Sequence, residues 1–381
     1  MEGIMTNNQD TLVGVDEFTL VLQFKEKVDV MTWQDTVDTM LYRFLELSHV
    51  ESIFGELYRT TGSKVIQGYN EGIFAEHQPF YFVICWHEYL QDMGIAVKFS
   101  AHAWAFFQAE YEEYFQEKMD VSKFLKMVQS DDIYTTRLSR IDFTADYKNH
   151  GLNVNRIYQK LKDYQLQVRN WQDRRVNLKM SAIEKDRSAE TIYLGSRKAN
   201  SHGILRIYDK KEEQISNHGF RLGEALATTD WIRFEAVMKG KRAHQITTKL
   251  LNEITSDQEL QRFIAQMITD KYTFFDVEKD DVTDFTSDLL DIAHGKNSFS
   301  RLRSESPRDN SLKQSIRYLT TNAGLFPAVY KIQVIYGDDG VKAFWQYLQD
   351  KYEHYIPNKD TDIWLGKHWL AMSKQPLKDS L

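Results

Sequence analysis

Three segments of the chain separate carboxylates, cations and a tyrosine from apolar residues on a period of two. In RIDFTAD, Ile141, Phe143 and Ala145 point one way and Arg140, Asp142, Thr144 and Asp146 the other. In WIRFEAVMK, Ile232, Phe234, Ala236 and Met238 leave Arg233, Glu235 and Lys239 opposite. In GILRIYDK, Leu205 and Ile207 leave Arg206, Tyr208 and Lys210. If these strands share one sheet, a single face collects carboxylates, a tyrosine and several cations.

Each residue type has a chemical use there. Carboxylates on rigid strands suit a hard divalent cation, Mg²⁺ or Mn²⁺, which keeps waters and needs few protein ligands. Such an ion stabilises charge on a phosphodiester during in-line displacement. A phenol flanked by cations or a metal is favoured as phenolate, the nucleophilic form, and would leave a phosphotyrosyl link. The same residues also fit a plainer arrangement. Asp142, Asp146 and Glu235 can pair with Arg140 and Arg233 across strands, and tyrosine is an ordinary strand residue.

The loop GSRKANSHG, Gly195 to Gly203, precedes the tyrosine strand. Its backbone amides with Arg197 or Lys198 can hold phosphates, and a basic hairpin turn is the alternative.

The elements that must position these groups follow from patterning. EFTLVLQF alternates Phe18, Leu20, Leu22 and Phe24 on one face. Helical spacing follows at 32–48, then strands in FYFVICW and GIAVKFS, then an amphipathic helix at 101–119 expected to cover a sheet. The middle, 134–240, is strand-rich with one helix near 153–165. Beyond Gly240 the pattern turns helical at 241–253, 257–269, 311–322, 327–336 and 340–352, with Gly324, Pro327 and Gly337 as punctuation. The expected fold is α+β: a largely antiparallel sheet with helices on one face, an open catalytic face, and a helical C-terminal region. The expected domains are 1–250, catalytic, and 251–381, helical and DNA-binding. No internal repeat is visible.

Composition bounds the chemistry. The 381 residues carry a net charge of −7, yet the charge is segregated. Gly195 to Leu250 holds 11 Lys/Arg against six Asp/Glu, and Gly295 to Gln333 holds seven against two. Asp257 to His294 holds ten acids against three bases. A basic surface can therefore exist on an acidic protein. The single cysteine, Cys85, lies in an apolar run and reads as core, which excludes a disulfide framework and a thiolate metal cage. No signal peptide or spanning segment is evident, so a cytoplasmic location without membrane partners is expected.

RIDFTAD, YLGSRKANSHGILRIYDKKEE and WIRFEAVMKGKRA, in that order over about 136–243, resemble the replication initiation factor family. That family comprises rolling-circle initiators of Gram-positive plasmids and filamentous phages, and related relaxases of conjugative elements. The resemblance implies an enzyme that nicks one DNA strand at an origin through a tyrosine, becomes linked to the 5′ phosphate and later rejoins the strand. It implies Tyr208 as nucleophile assisted by Lys210, with Asp142, Glu235 and Asp146 as ligands of Mg²⁺ or Mn²⁺. Arg197, Lys198, Arg206, Lys211, Arg233 and Lys239 are the expected DNA contacts.

Tyr193, on ETIYLGS, is the competing nucleophile. None of the 11 histidines forms the His-hydrophobe-His motif of the other large nickase class, so a carboxylate-built site is required. Residues 1–30 read as a tail and a strand rather than the helix-turn-helix of some conjugative relaxases, which favours plasmid or phage replication over conjugation. The expected partners are bacterial origin DNA, duplex and single-stranded at the nick, a second copy of the chain, and a host helicase. DNA contacts are also expected from Arg301, Arg303, Arg308, Lys313, Arg317 and Lys331, and base stacking from Trp231. A non-catalytic DNA-binding regulator on the same fold is the alternative from another class.

Overall fold

A long strand that alternates apolar and polar residues must bury one face, and two such strands meet at the centre of this protein. In the computed structural model, which describes residues 10–26, 30–129, 132–196, 203–294, 312–317, 319–320, 324–357, 359–374 and 376–377, β1 (Asp10–Phe24) pairs antiparallel with β6 (Tyr134–Lys148). After β1 come α1 (Val30–Ser48), α2 (Val50–Phe54), β2 (Tyr58–Thr60), β3 (Glu71–Phe74), β4 (Phe82–Trp86), β5 (Ile95–Phe99), α3 (Ala101–Phe115) and α4 (Val121–Val128). After β6 come α5 (Val154–Lys162), β7 (Leu166–Arg169), β8 (Met180–Lys185), β9 (Ser188–Gly195), β10 (Gly203–Asp209), α6 (Lys210–Ser216), α7 (Leu222–Ala227), β11 (Trp231–Lys239) and α8 (Lys241–Asn252).

The ten-stranded antiparallel sheet runs β2-β3-β4-β5-β1-β6-β11-β10-β9-β8. Its two halves share one topology. Each begins with a long strand, passes through helix to four sequentially adjacent antiparallel strands, and returns the last of them beside the first strand; the second half adds β7, in another sheet, and α6 and α7 before its last strand. A sequence without a visible repeat therefore folds as a topological repeat, joined by the β1–β6 ladder.

Helices α1, α3, α4 and α8 cover one face, where Val37, Phe44, Trp104, Phe124 and Ile246 join Phe18, Leu20, Ile141, Phe143, Leu205, Ile207 and Phe234 in one core. Cys85 is buried, as its apolar run implies. Side-chain caps start several helices: Ser100 Oγ accepts from Ala103 N, Asn153 Oδ1 from Arg156 N, and Asp120 Oδ1 from Ser122 N and Lys123 N.

The chain divides into two compact units, Met1–Leu302 and Arg303–Leu381. The boundary expected near residue 250 is displaced because α9 (Asp257–Thr269), β12 (Thr273–Asp276), β13 (Asp281–Val282) and α10 (Asp284–Ala293) bury Phe263, Ile264, Phe274 and Phe285 in the core of the first unit. Strands β13-β12-β7 form a small second sheet.

The second unit holds α11 (Leu312–Arg317), α12 (Leu325–Glu353) and α13 (Lys359–Met372). α12 is interrupted at Gly337, whose non-helical φ of 67° and ψ of −164° glycine adopts without strain, so the helices expected at 327–336 and 340–352 lie on either side of a break. Trp345, Tyr347 and Tyr352 on α12 are exposed. Among the described residues no helix is long and apolar enough to cross a membrane.

Candidate active site

The polar face of the β6–β11–β10 ladder assembles the residues that patterning placed together. Register sets Arg206 opposite Glu235 and Tyr208 opposite Arg233 on β10 and β11. It sets Arg233 opposite Asp146, Glu235 opposite Thr144, and Lys239 opposite Arg140 on β11 and β6. Tyr208 Oη donates to Glu235 Oε2 at 3.2 Å. Arg206 Nη2 holds the same oxygen at 2.5 Å, and its guanidinium lies 4.8 Å from the centre of the Tyr208 ring.

This face is polar but not open to water. Asp142, Glu235, Asp146, Arg233 and Tyr208 are all less than a tenth exposed, because neighbouring side chains cover one another. Burial pushes the Tyr208 phenol well above its usual range, against the pull of Arg233. Burial also raises the Asp142 carboxyl, and the neighbouring Glu235 and Glu17 add to the rise against the pull of Arg140.

Asp142 and Glu235 are diagonal neighbours, since Asp142 lies opposite Val237, two residues from Glu235. Cross-strand diagonals are about 7 Å apart, close enough for two long side chains to meet at one ion. Arg140 grips Asp142 with Nε at 2.9 Å and Nη2 at 2.5 Å, while its Nη1 reaches Glu17 at 2.7 Å. Glu235 Oε1 is buried with no hydrogen-bond partner. That orphaned oxygen, beside a second buried carboxylate, fits a hard divalent cation held by two carboxylates and waters. Among the described residues no group of three or more His, Cys, Asp and Glu side chains gathers as a cage.

Asp146 is placed apart from that pair. It sits four residues from Asp142 on the same strand, about 13 Å along it. Arg233 holds it with Nε at 2.6 Å and Nη2 at 2.7 Å, and Arg221 Nη1 approaches at 3.5 Å. Burial alone would raise its carboxyl, yet Arg233 and Arg221 keep it below the usual range. Arg233 also pairs with Asp16. This buried network engages three N–H groups of Arg233 and both oxygens of Asp146, away from the Asp142–Glu235 pair.

Asp16 escaped the period-two reading for a local reason. A β-bulge between Val15 and Phe18 adds one residue to β1, so that Asp16 and Glu17 both turn to the polar face. Strict alternation back from Phe18 would put Asp16 in the core. Glu17 then bridges Arg140 and Lys98, the latter at 3.2 Å.

The remaining expected residues separate by environment. Lys210 is buried, pairs with Glu213 at 2.8 Å and lies 5.8 Å from the Tyr208 ring centre. Lys211 donates to the Thr228 and Thr229 carbonyls at 2.6 and 3.1 Å, a structural tie across the ends of α6 and β11. Lys239 is half-buried at the end of β11. Trp231 is fully buried against Arg221, Lys148 and Arg233, which overturns its expected role in stacking on bases. Arg197 and Lys198 lie outside the described residues, as do Arg301, Arg303 and Arg308. Lys313 and Arg317 fall on α11 and Lys331 on α12. Tyr193 lies opposite Arg206 on β9 and faces the same side as Tyr208.

Comparison with known proteins gives this arrangement its context. No curated protein matches the chain. Among solved structures, a rolling-circle replication initiator protein from Geobacillus stearothermophilus is similar at 15% identity and a TM-score of 0.49, over 74% of this chain and 97% of that one. The family model described as replication initiation factor matches residues 136–343, more than half of the chain and all three strands of the site. This protein belongs to the replication initiation factor family.

Proposed function

We propose that the protein initiates rolling-circle replication by nicking one strand of its origin, with Tyr208 as nucleophile. The observation that carries this reading is the hydrogen bond from Tyr208 Oη to Glu235 Oε2, with Asp142 beside it on the same face. The Tyr208 oxygen attacks phosphorus, its proton passes to the Glu235 carboxylate, and the Oη–P bond replaces the P–O3′ bond. The leaving 3′ oxygen takes a proton from water, and reversal of these steps rejoins the strand. Asp142 and Glu235 would hold Mg²⁺ or Mn²⁺, whose positive charge favours the phenolate and the developing charge on the phosphate. Arg206 orients Glu235 and faces the phosphate, and Lys210 lies beside the ring. The reading places the protein in the bacterial cytoplasm with origin DNA, a second copy and a host helicase as partners.

The test is incubation with supercoiled DNA carrying the protein's own gene and flanks plus Mn²⁺, followed by an SDS gel for nicked product and covalent adduct. An adduct that needs the metal and vanishes in Tyr208→Phe is the expected result. Wild type that binds DNA without forming an adduct would overturn the reading in favour of a regulator. Tyr193 supports a second reading, because it faces the same side of the sheet and is less buried than Tyr208. Loss of the adduct in Tyr193→Phe alone would move the nucleophile there.

A further inference from the structure

The polar face has a recess that extends from Tyr208 and Arg206 past residues the cleavage step does not use. A cavity of about 530 Å³ opens beside Tyr208, bounded by β9, β10, α6 and the start of α5. Register builds one wall: Tyr193 lies opposite Arg206 and Thr191 opposite Tyr208, so that both tyrosines line it. The α5 wall is fastened to β9 by Asn155 Oδ1, which accepts from Ala189 N at 3.1 Å. On α6, Glu212 is oriented by Ser216 Oγ at 2.7 Å.

The lining selects a class of occupant. Asp209, Glu190, Glu212 and Glu213 outnumber the cations Lys185 and Arg206, so the recess is acidic and repels a phosphate. Aromatic walls and this volume suit a flat heteroaromatic ring, and stacking on tyrosine is how unpaired bases are held. Ionised carboxylates only accept hydrogen bonds. They match the exocyclic amino group of cytosine, adenine or guanine. Thymine has none, and its lone N3–H sits between two carbonyls that the carboxylates repel.

Resting on the nicking reading above, we infer that this cavity takes the unpaired base of a nucleotide flanking the scissile phosphate and discriminates against thymine. Tyr193 is its stacking wall, and Glu190 and Glu212 are the acceptors. The phosphate stays at the Arg206 and Tyr208 side, while the base turns toward Tyr193, Glu190 and Glu212.

The test is fluorescence anisotropy of the full-length protein with fluorescein-labelled (dC)10 and (dT)10, which carry equal phosphate charge. The expected result is tighter binding of (dC)10 by about tenfold, a gap that falls below about threefold in the Glu190→Gln/Glu212→Gln double variant. Tyr193→Ala should weaken (dC)10 binding about tenfold while Tyr193→Phe, which keeps the ring, does not. Equal affinity for the two decamers, a gap that persists in the double variant, or no effect of Tyr193→Ala would overturn the inference. The plasmid assay run on the same preparation separates the two levels. Nicking without base preference removes only the cavity's role, whereas neither nicking nor binding removes the function itself.

Discussion

Tyr208 Oη and Arg206 Nη2 converge on one oxygen of Glu235, at 3.2 and 2.5 Å, and leave its other oxygen buried without a partner. The carboxylate is therefore held by Tyr208 and Arg206 through one oxygen, while the other has no partner. Glu235→Gln keeps the size and one acceptor but removes the charge that the proposed mechanism uses to take the phenolic proton. Nicking should fall by at least about 10²-fold, while the unfolding midpoint in urea moves little. The check is single-turnover nicking beside a urea titration, and retention of nicking within a factor of a few would remove Glu235 from the chemistry.

Asp142 and Asp146 should respond unequally although they share one strand face. Burial opposes the Asp142 charge, and Asp142→Asn keeps an acceptor for Arg140, which also retains Glu17, so the variant should abolish nicking at a smaller cost to the fold than Asp146→Ala. Asp146 neutralises buried Arg233, and Asp146→Ala leaves that guanidinium with Asp16 alone. Removing one partner of a buried pair costs about 3–5 kcal/mol. Thermal melts of the two variants check this. A greater loss in Asp142→Asn than in Asp146→Ala would reverse the assignment of roles.

Much of this site was legible because β6, β10 and β11 keep strict alternation: Ile141, Phe143, Leu205, Ile207 and Phe234 are all buried on the core side. What alternation cannot show is a bulge, and the extra residue in β1 hid Asp16, a partner of Arg233. Nor does a face assignment show which cation holds each carboxylate, Arg140 on Asp142 and Arg233 on Asp146. Asp142 and Asp146 look alike in RIDFTAD, and only the cross-strand neighbours separate them. The topological repeat was invisible because strands such as β2, Tyr58–Thr60, are too short to carry a pattern. The boundary at 250 failed because α9 reads as just another amphipathic helix, while its apolar face packs on the first unit.

Lys211 and Lys239 were grouped as DNA contacts, but their surroundings predict different behaviour. Lys211 is occupied by two carbonyls, whereas Lys239 lies at the strand end beside Arg140. Lys239→Ala should weaken origin binding and reduce the slope of log K against log salt by about 1. Lys211→Ala should leave that slope unchanged and instead lower stability by about 1 kcal/mol. Binding isotherms at several salt concentrations decide it, and an equal loss of slope in both variants would restore Lys211 to the DNA surface.

Lys271, just before β12, places its ammonium 3.5 Å from the Gly203 carbonyl, where β10 begins. Burial lowers its amine to about 8, and repulsion from Arg242 contributes. Below about pH 8 the amine is protonated in both the folded and the unfolded chain, so the full penalty of the buried charge bears on the fold. Between about 8 and the unfolded value near 10.4 the folded chain loses the proton first, and stability rises with pH. Lys271→Met removes the penalty and fills the same space, so it should stabilise the protein at pH 7 by about 1–3 kcal/mol. The advantage should shrink steadily as the pH approaches 10. Urea unfolding of both proteins at pH 7 and pH 9.5 measures the difference. A gap of the same size at both values would show that Lys271 carries no such penalty and that packing alone separates the two side chains.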